Sequence, residues 1–256
     1  MLNRLETILV ALIIIVGVLY GVAPLFFSDK PYILDVGFTI DSGVIKTVVL
    51  LSQYYFVALS ASVIVAYDVI YISSCCYVLI QIKLLHFIIA RLEAATSRRK
   101  FINCIQHHIF ILNLISRIRR QYSFLFLMQY MMTITSICNQ LLQLANIRTS
   151  ILDHRSITAA LYLVYMFLEF GVYCVPAEQV GSGVLHLSDV IFSSQWYQLP
   201  VQWRSEIIFI MMIAQRETYN VTMGGIYKVN METLVQMIKT TFTFHTFVNN
   251  INVLKK

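Results

Sequence analysis

The sequence predicts an all-α protein that crosses a membrane several times, and three observations carry that expectation. Hydrophobic residues make up 58% of the 256 positions and charged ones only 12%, with a mean hydropathy of +0.72, well above soluble domains. The apolar residues gather into runs of about 20, the length a helix needs to cross a bilayer core. With nine glycines and four prolines the chain has too few breakers for a loop-rich protein, so the segments between runs are also expected to be helical.

Taken in order, the runs predict five spans, at about 5–27, 47–72, 122–144, 157–175 and 231–251, within a single domain covering 1–256. The first is too long for a signal-peptide core and has no small-residue cleavage site, so it is expected to remain as a helix. Lys and Arg flank the spans, and placing the N-terminus in the cytoplasm puts them inside rather than outside by about two to one. The C-terminus is then extracellular. The net charge of +6 is accounted for by this flanking pattern and implies no nucleic-acid partner.

Two stretches are expected to be cytoplasmic and helical, 76–121 and 185–230. In the first, Ile105, Ile109, Leu112 and Ile115 recur at helical spacing, and the helices of the second and third spans should continue through it to a turn at 97–100. In the second, Pro200 is followed by an apolar run at 207–213 that is too short to span. The formal glycosylation acceptor Asn220-Val221-Thr222 falls in this stretch, where the expected topology leaves it unmodified.

Few side chains suggest soluble-type chemistry. There is no phosphate-binding glycine loop, nucleophile elbow or paired-histidine zinc motif, so neither enzyme activity nor a cofactor or metal site is expected. His107 and His108 are adjacent, point to different helix faces, and are expected on a solvated face. Five cysteines, with Cys75 and Cys76 adjacent, are expected to be reduced and mostly buried. Asp68 and Glu169 sit near the cytoplasmic ends of spans; a solvated or paired structural role and a gating role both stay open. Tyrosines in the spans suit a mostly apolar pocket that offers single hydroxyls, although an interfacial belt or helix packing also accounts for them. Tyr162 and Tyr165 share a face and are the stronger candidates.

The last span holds "TTFTFHTFVNN" at 240–250, which alternates like a strand. A lone strand cannot cross hydrocarbon with its backbone unpaired, so the stretch is expected to be helix. Wound at 100° per residue, Thr240, Thr243, Thr246, Phe247 and Asn250 fall on one face, and Thr241, His245, Asn249 and Asn252 on another. Either face can hydrogen-bond neighbouring helices or line a water-filled path.

Three motifs, in order, carry a family resemblance: "SDVIFSSQWYQLP", "IFIMMIAQRE" and "GGIYKVNMETLVQMIKTTFTFHTF" resemble the end of insect odorant receptors. Further upstream, "LYGVAPLFF", "QYYFVALSASVIVAYDVIY" and "FLEFGVYCVPAEQ" are similar to the third, fourth and sixth helices of that family. On this register the chain carries helices three to seven of seven, and the first two are expected to be missing. The resemblance implies an odorant-gated, non-selective cation channel in the plasma membrane of a sensory neuron dendrite. It would detect small volatile hydrophobic molecules within a heterotetramer that includes the obligate odorant co-receptor.

By the same resemblance Thr243, Thr246, Phe247 and Asn250 line the pore, Phe247 standing at the hydrophobic gate and Asn250 at the pore amide. Tyr20, Tyr162 and Tyr165 become ligand-binding candidates, with Tyr67 less favoured. The alternatives are a non-conducting or degenerate receptor fragment that assembles with other subunits, or a gustatory receptor. Trp196-Tyr197 and Lys239-Thr240-Thr241 favour the odorant type over the gustatory one.

Overall fold

The computed structural model describes residues 43–91, 97–146, 154–215 and 220–254. The expected span at 5–27, with Tyr20, lies outside them. Among the described residues there are five α-helices: α1 (Gly43–Ile89), α2 (Arg98–Asn146), α3 (His154–Ser193), α4 (Val201–Ala214) and α5 (Met231–Leu254). A 3₁₀ turn at Trp196–Gln198 precedes α4, and a hairpin of β1 (Thr222–Met223) and β2 (Tyr227–Lys228) precedes α5. Among the described residues two helices contain windows long and apolar enough to cross a membrane, Gly43–Ile89 and Ala159–Ser193.

The chain divides into two compact units, Met1–Tyr71 and Ile72–Lys256. In the first, the described part of α1 leaves Val48, Leu51, Phe56 and Val63 exposed, as an apolar bilayer solvent permits. In the second, burial follows a regular register. Cys75, Val78, Ile82, Leu85 and Ile89 are buried along α1, and Phe101, Cys104, His108, Ile111, Ile115, Ile118 and Tyr122 along α2. On α3 the buried positions are Phe170, Tyr173, Ala177, Val180, Val184, Leu187 and Ile191. Alternating steps of three and four make this a coiled-coil-like seam, which lets long helices stay in contact over many turns.

The seam corrects the register expected for α2. Of Ile105, Ile109, Leu112 and Ile115 only Ile115 is buried, and Ile109 is exposed. The buried stripe runs one position earlier and includes His108, a polar residue that apolar spacing does not count. His107 and His108 are therefore not on a solvated face: His108 is buried, and His107 Nε2 lies 2.9 Å from Gln81 Oε1.

The expected turn at 97–100 is also corrected. Arg98, Arg99 and Lys100 are already helical, and α1 gives way to turn residues at Ala90 and Arg91. Ser97 stands at the start of α2 with its hydroxyl 3.5 Å from the Lys100 amide, in the capping position that serine favours. Arg and Lys then continue a helix readily.

α1 and α2 span 47 and 49 residues, about 70 Å each at 1.5 Å per residue, much longer than a bilayer core requires. In α3 Pro176 lies inside a continuous helix, where it removes one backbone hydrogen bond just past the expected end of the fourth span.

Short polar anchors position the last third of the chain. Pro200 opens α4, its carbonyl accepting from the Trp203 amide at 2.9 Å, while Arg204 Nε donates to the Leu199 carbonyl at 2.9 Å. At the start of α5, Asn230 Oδ1 accepts from the Thr233 amide at 3.0 Å, and Glu178 of α3 accepts from the Met231 amide at 2.8 Å. Both satisfy amides that have no partner within a helix, and the carboxylate also suits the positive end of the helix dipole.

The hairpin strands have two residues each, too few for an alternating pattern to show in the sequence. Gly224 and Gly225 make the turn with φ of +58° and +75°, and the Gly224 amide donates to the Ser123 carbonyl of α2 at 3.0 Å. Upstream, Asn220 packs so closely on Gly181 of α3 that a β-carbon there would collide with its amide oxygen. Gly224→Ala is expected to cost more than the ~1–2 kcal/mol of left-handed backbone strain, because its Cβ would also meet Leu127 at 3.0 Å. Gly225→Ala, which faces open space, should show the backbone cost alone. Equal melting temperatures for the two variants in detergent would contradict this placement.

Candidate functional site

Two regions hold the side chains singled out in the sequence. The first lies between α2 and α3. Tyr162 and Tyr165 are half-buried with ring centroids 6.3 Å apart, and Tyr162 hydrogen-bonds Ser136 of α2. One turn further along α3, Glu169 is 7% exposed and accepts a hydrogen bond from Gln129 Nε2 at 3.1 Å. A structural pairing therefore exists for Glu169. Asp68 is likewise buried, at 3% exposure.

Beyond Glu169 the contact between α2 and α3 is aromatic. Tyr130 meets Phe170 at 5.6 Å, Phe126 meets Tyr173 at 5.5 Å, and Tyr122 stacks on Phe126 at 5.8 Å. Each is within the range of favourable ring pairs. The spacing of Tyr122, Phe126 and Tyr130 at steps of four is a sequence signal for this ladder; Ser136 and Gln129 carry no comparable signal. Chemically the region is mostly aromatic and apolar, with a few hydroxyl and amide groups and the Glu169 carboxylate, a composition that sites for small hydrophobic molecules share.

The second region is α5. Thr243, Thr246, Phe247 and Asn250 are all exposed in the single chain, as is Thr240. Leu234 and Met237 are buried, and Thr241, Phe244 and His245 partly so, which defines the side that packs. The threonine hydroxyls donate to their own helix four residues back: Thr240 to Gln236, Thr241 to Met237, Thr243 to Lys239 and Thr246 to Phe242, at 2.8–3.1 Å. Such back-bonding satisfies the hydroxyl within the helix. The exposed face thus presents methyl groups and satisfied oxygens, with the amide of Asn250 at its end. A cavity lies away from both regions, at the far end of α3 beside Ala90 and Ser194.

The family described as 7tm Odorant receptor matches residues 2–242, nearly the whole chain. The chain belongs to the 7tm odorant receptor family.

As an odorant receptor family member it is a multi-span helical membrane protein, and its relatives agree. It is 20% identical over 158 residues to Odorant receptor 22b of Drosophila melanogaster, covering 62% of this chain and 39% of that receptor. Odorant receptor 83a of the same fly is 23% identical over 161 residues, with 62% and 35% covered. The chain thus spans little more than a third of the length of these receptors. Among solved structures, the olfactory receptor OR5 from Machilis hrabei in complex with eugenol superposes with a TM-score of 0.80. That likeness covers 98% of this chain and 66% of OR5 at 18% identity, and it establishes the fold.

Proposed function

We propose that this chain is an odorant receptor subunit which binds small volatile hydrophobic molecules and, in a heterotetramer with the odorant co-receptor, gates a non-selective cation path. The observation that carries the reading is the odorant receptor match over residues 2–242. Support for the ligand class comes from OR5, a solved relative in fold whose structure holds eugenol, a small aromatic molecule. In this reading the apolar region around Tyr162 and Tyr165 takes the ligand, and the α5 face of Thr243, Thr246, Phe247 and Asn250 lines the pore.

A face of satisfied threonines with one amide is physically suited to that task. It neither holds a cation tightly nor presents unsatisfied donors, so ions would pass with much of their hydration. Phe247 would close the path by dewetting when the faces of several subunits approach. The N-terminus would be cytoplasmic, the C-terminus extracellular and the location the plasma membrane, in line with the distribution of Lys and Arg.

The test is current recorded from cells that express the receptor with the co-receptor, challenged with a panel of small aromatics and esters. Asn250→Leu is expected to reduce the evoked current several-fold, and Phe247→Ala to raise the current without odorant. Absence of odorant-evoked current from the full-length receptor, with surface expression verified, would overturn the reading.

A further inference from the structure

Near the end of α1 a histidine from each of two helices meets. His86 of α1 and His186 of α3 have ring centroids 5.6 Å apart at an interplanar angle of 74°. His86 forms a hydrogen bond with the Gly183 backbone, while its Nε2 is buried without any hydrogen-bond partner. Since Nε2 is unpartnered, Nδ1 is the nitrogen that donates to the Gly183 carbonyl. His186 Nδ1 lies 3.3 Å from Asp189 Oδ2, one turn along α3. Beside the pair is an open cavity of about 240 Å³ lined by Ala90, His186, Asp189, Val190, Ser193 and Ser194.

Both imidazoles are thus held by Nδ1, one on a backbone carbonyl and one on a carboxylate, and both leave Nε2 uncommitted. That is the arrangement in which metal-ligating histidines are found, since the second hydrogen bond sets the tautomer and raises the basicity of the ligating nitrogen. A buried ring nitrogen without a partner is costly in a folded protein, and a bound metal is one way to satisfy it. We propose that His86 and His186 bind a divalent transition metal of the zinc class through Nε2, with Asp189 orienting His186 from behind.

Chemistry selects the ion class. Imidazole nitrogen suits zinc and its neighbours and is a poor ligand for calcium or magnesium, which take oxygen. Among the described residues no group of three His, Cys, Asp or Glu side chains converges as a metal cluster, so the protein supplies two ligands. Water in the adjoining cavity fills the rest of the coordination shell, and the ion stays exchangeable.

A metal bridging the two rings would pin α1 to α3 at this level. Ile82, one turn before His86, packs its side chain within 3.4 Å of where a β-carbon on Gly183 would stand, so the two helices already touch at this level. The site does not depend on odorant binding or on the identity of any partner.

The experiment is a Zn²⁺ titration of the purified, metal-stripped receptor in detergent, read by competition with a chromogenic chelator. One zinc per chain is expected, lost in both His86→Gln and His186→Gln and weakened about 10–100-fold in Asp189→Asn. His107→Gln serves as the control and should bind as wild type does. Because a substituted chain can fail to fold, zinc X-ray absorption of the wild-type protein supplies an independent readout, with two imidazole shells expected. Wild-type stoichiometry and affinity retained in both histidine variants, or a spectrum without imidazole scattering, would overturn the site.

Discussion

Phe101→Ala is expected to destabilise the receptor by about 3–5 kcal/mol, the cost of deleting a large buried aromatic side chain. Phe101 is 1% exposed, at the start of α2. Its ring stacks on Trp203 of α4 with centroids 5.2 Å apart and planes 12° from parallel. The Arg98 guanidinium lies 5.4 Å from the Phe101 ring and 5.2 Å from that of Trp203, and it holds Glu206 through two hydrogen bonds of 3.2 and 2.8 Å. Four side chains therefore tie α2 to α4.

The magnitudes rank these four. Arg98 and Glu206 remain 44% and 36% exposed, so water screens their attraction and the pair contributes no more than about 1 kcal/mol. Burial and stacking of the rings outweigh it. Glu206→Gln should therefore lower the melting temperature in detergent much less than Phe101→Ala does. A Glu206→Gln effect as large as that of Phe101→Ala would show that the charge, and not the aromatic contact, secures α4.

The second large effect is a loss of stability in mild acid. His108 is 3% exposed on the α2 seam, and its Nε2 is buried without a hydrogen-bond partner. Burial, reinforced by the adjacent His107, pushes its pKa from 6.5 down to about 4. The folded chain therefore keeps His108 neutral where the unfolded chain protonates it. Its neutral form is fully accommodated above pH 6.5, and stability falls as pH drops from there towards 4.

A depression of that size corresponds to roughly 3 kcal/mol. His107 and His86 are shifted the same way by burial and add to the slope on the acid side of the ordinary histidine pKa. His108→Leu is expected to remove most of the acid sensitivity and to match or exceed the wild type near pH 7, because it removes an unsatisfied buried nitrogen while filling the seam. Melting temperatures measured between about pH 7.5 and 4.5, which bracket the ordinary histidine range, decide the matter. A His108→Leu variant that retains the full wild-type slope would place the sensitivity elsewhere.

Much of the architecture is legible in the sequence. Bilayer physics allows few solutions for a chain this apolar, so the runs at 47–72, 122–144, 157–175 and 231–251 are assigned to helices by length. The same constraint makes a helix of the alternating Thr and Phe at 240–250, as α5 is. Local chemistry is less dependable at boundaries. Ser97 heads a polar, charged stretch that reads as a turn, yet serine is equally at home as a helix cap, and here it starts α2.

Side-chain partners are a different matter. Apolar spacing puts the α2 stripe one residue off because His108, though polar, occupies a seam position that only neighbouring helices define. Phe101 and Trp203 stand far apart in the chain, as do His86 and His186, and no periodicity relates residues across such distances. A multi-span helical protein of the odorant receptor family can be inferred from the residues alone, because hydrophobic length and local motifs are properties of single segments. Which faces meet, and hence which histidines, aromatics and amides act together, is settled by packing, because helix register is fixed between segments and not within them.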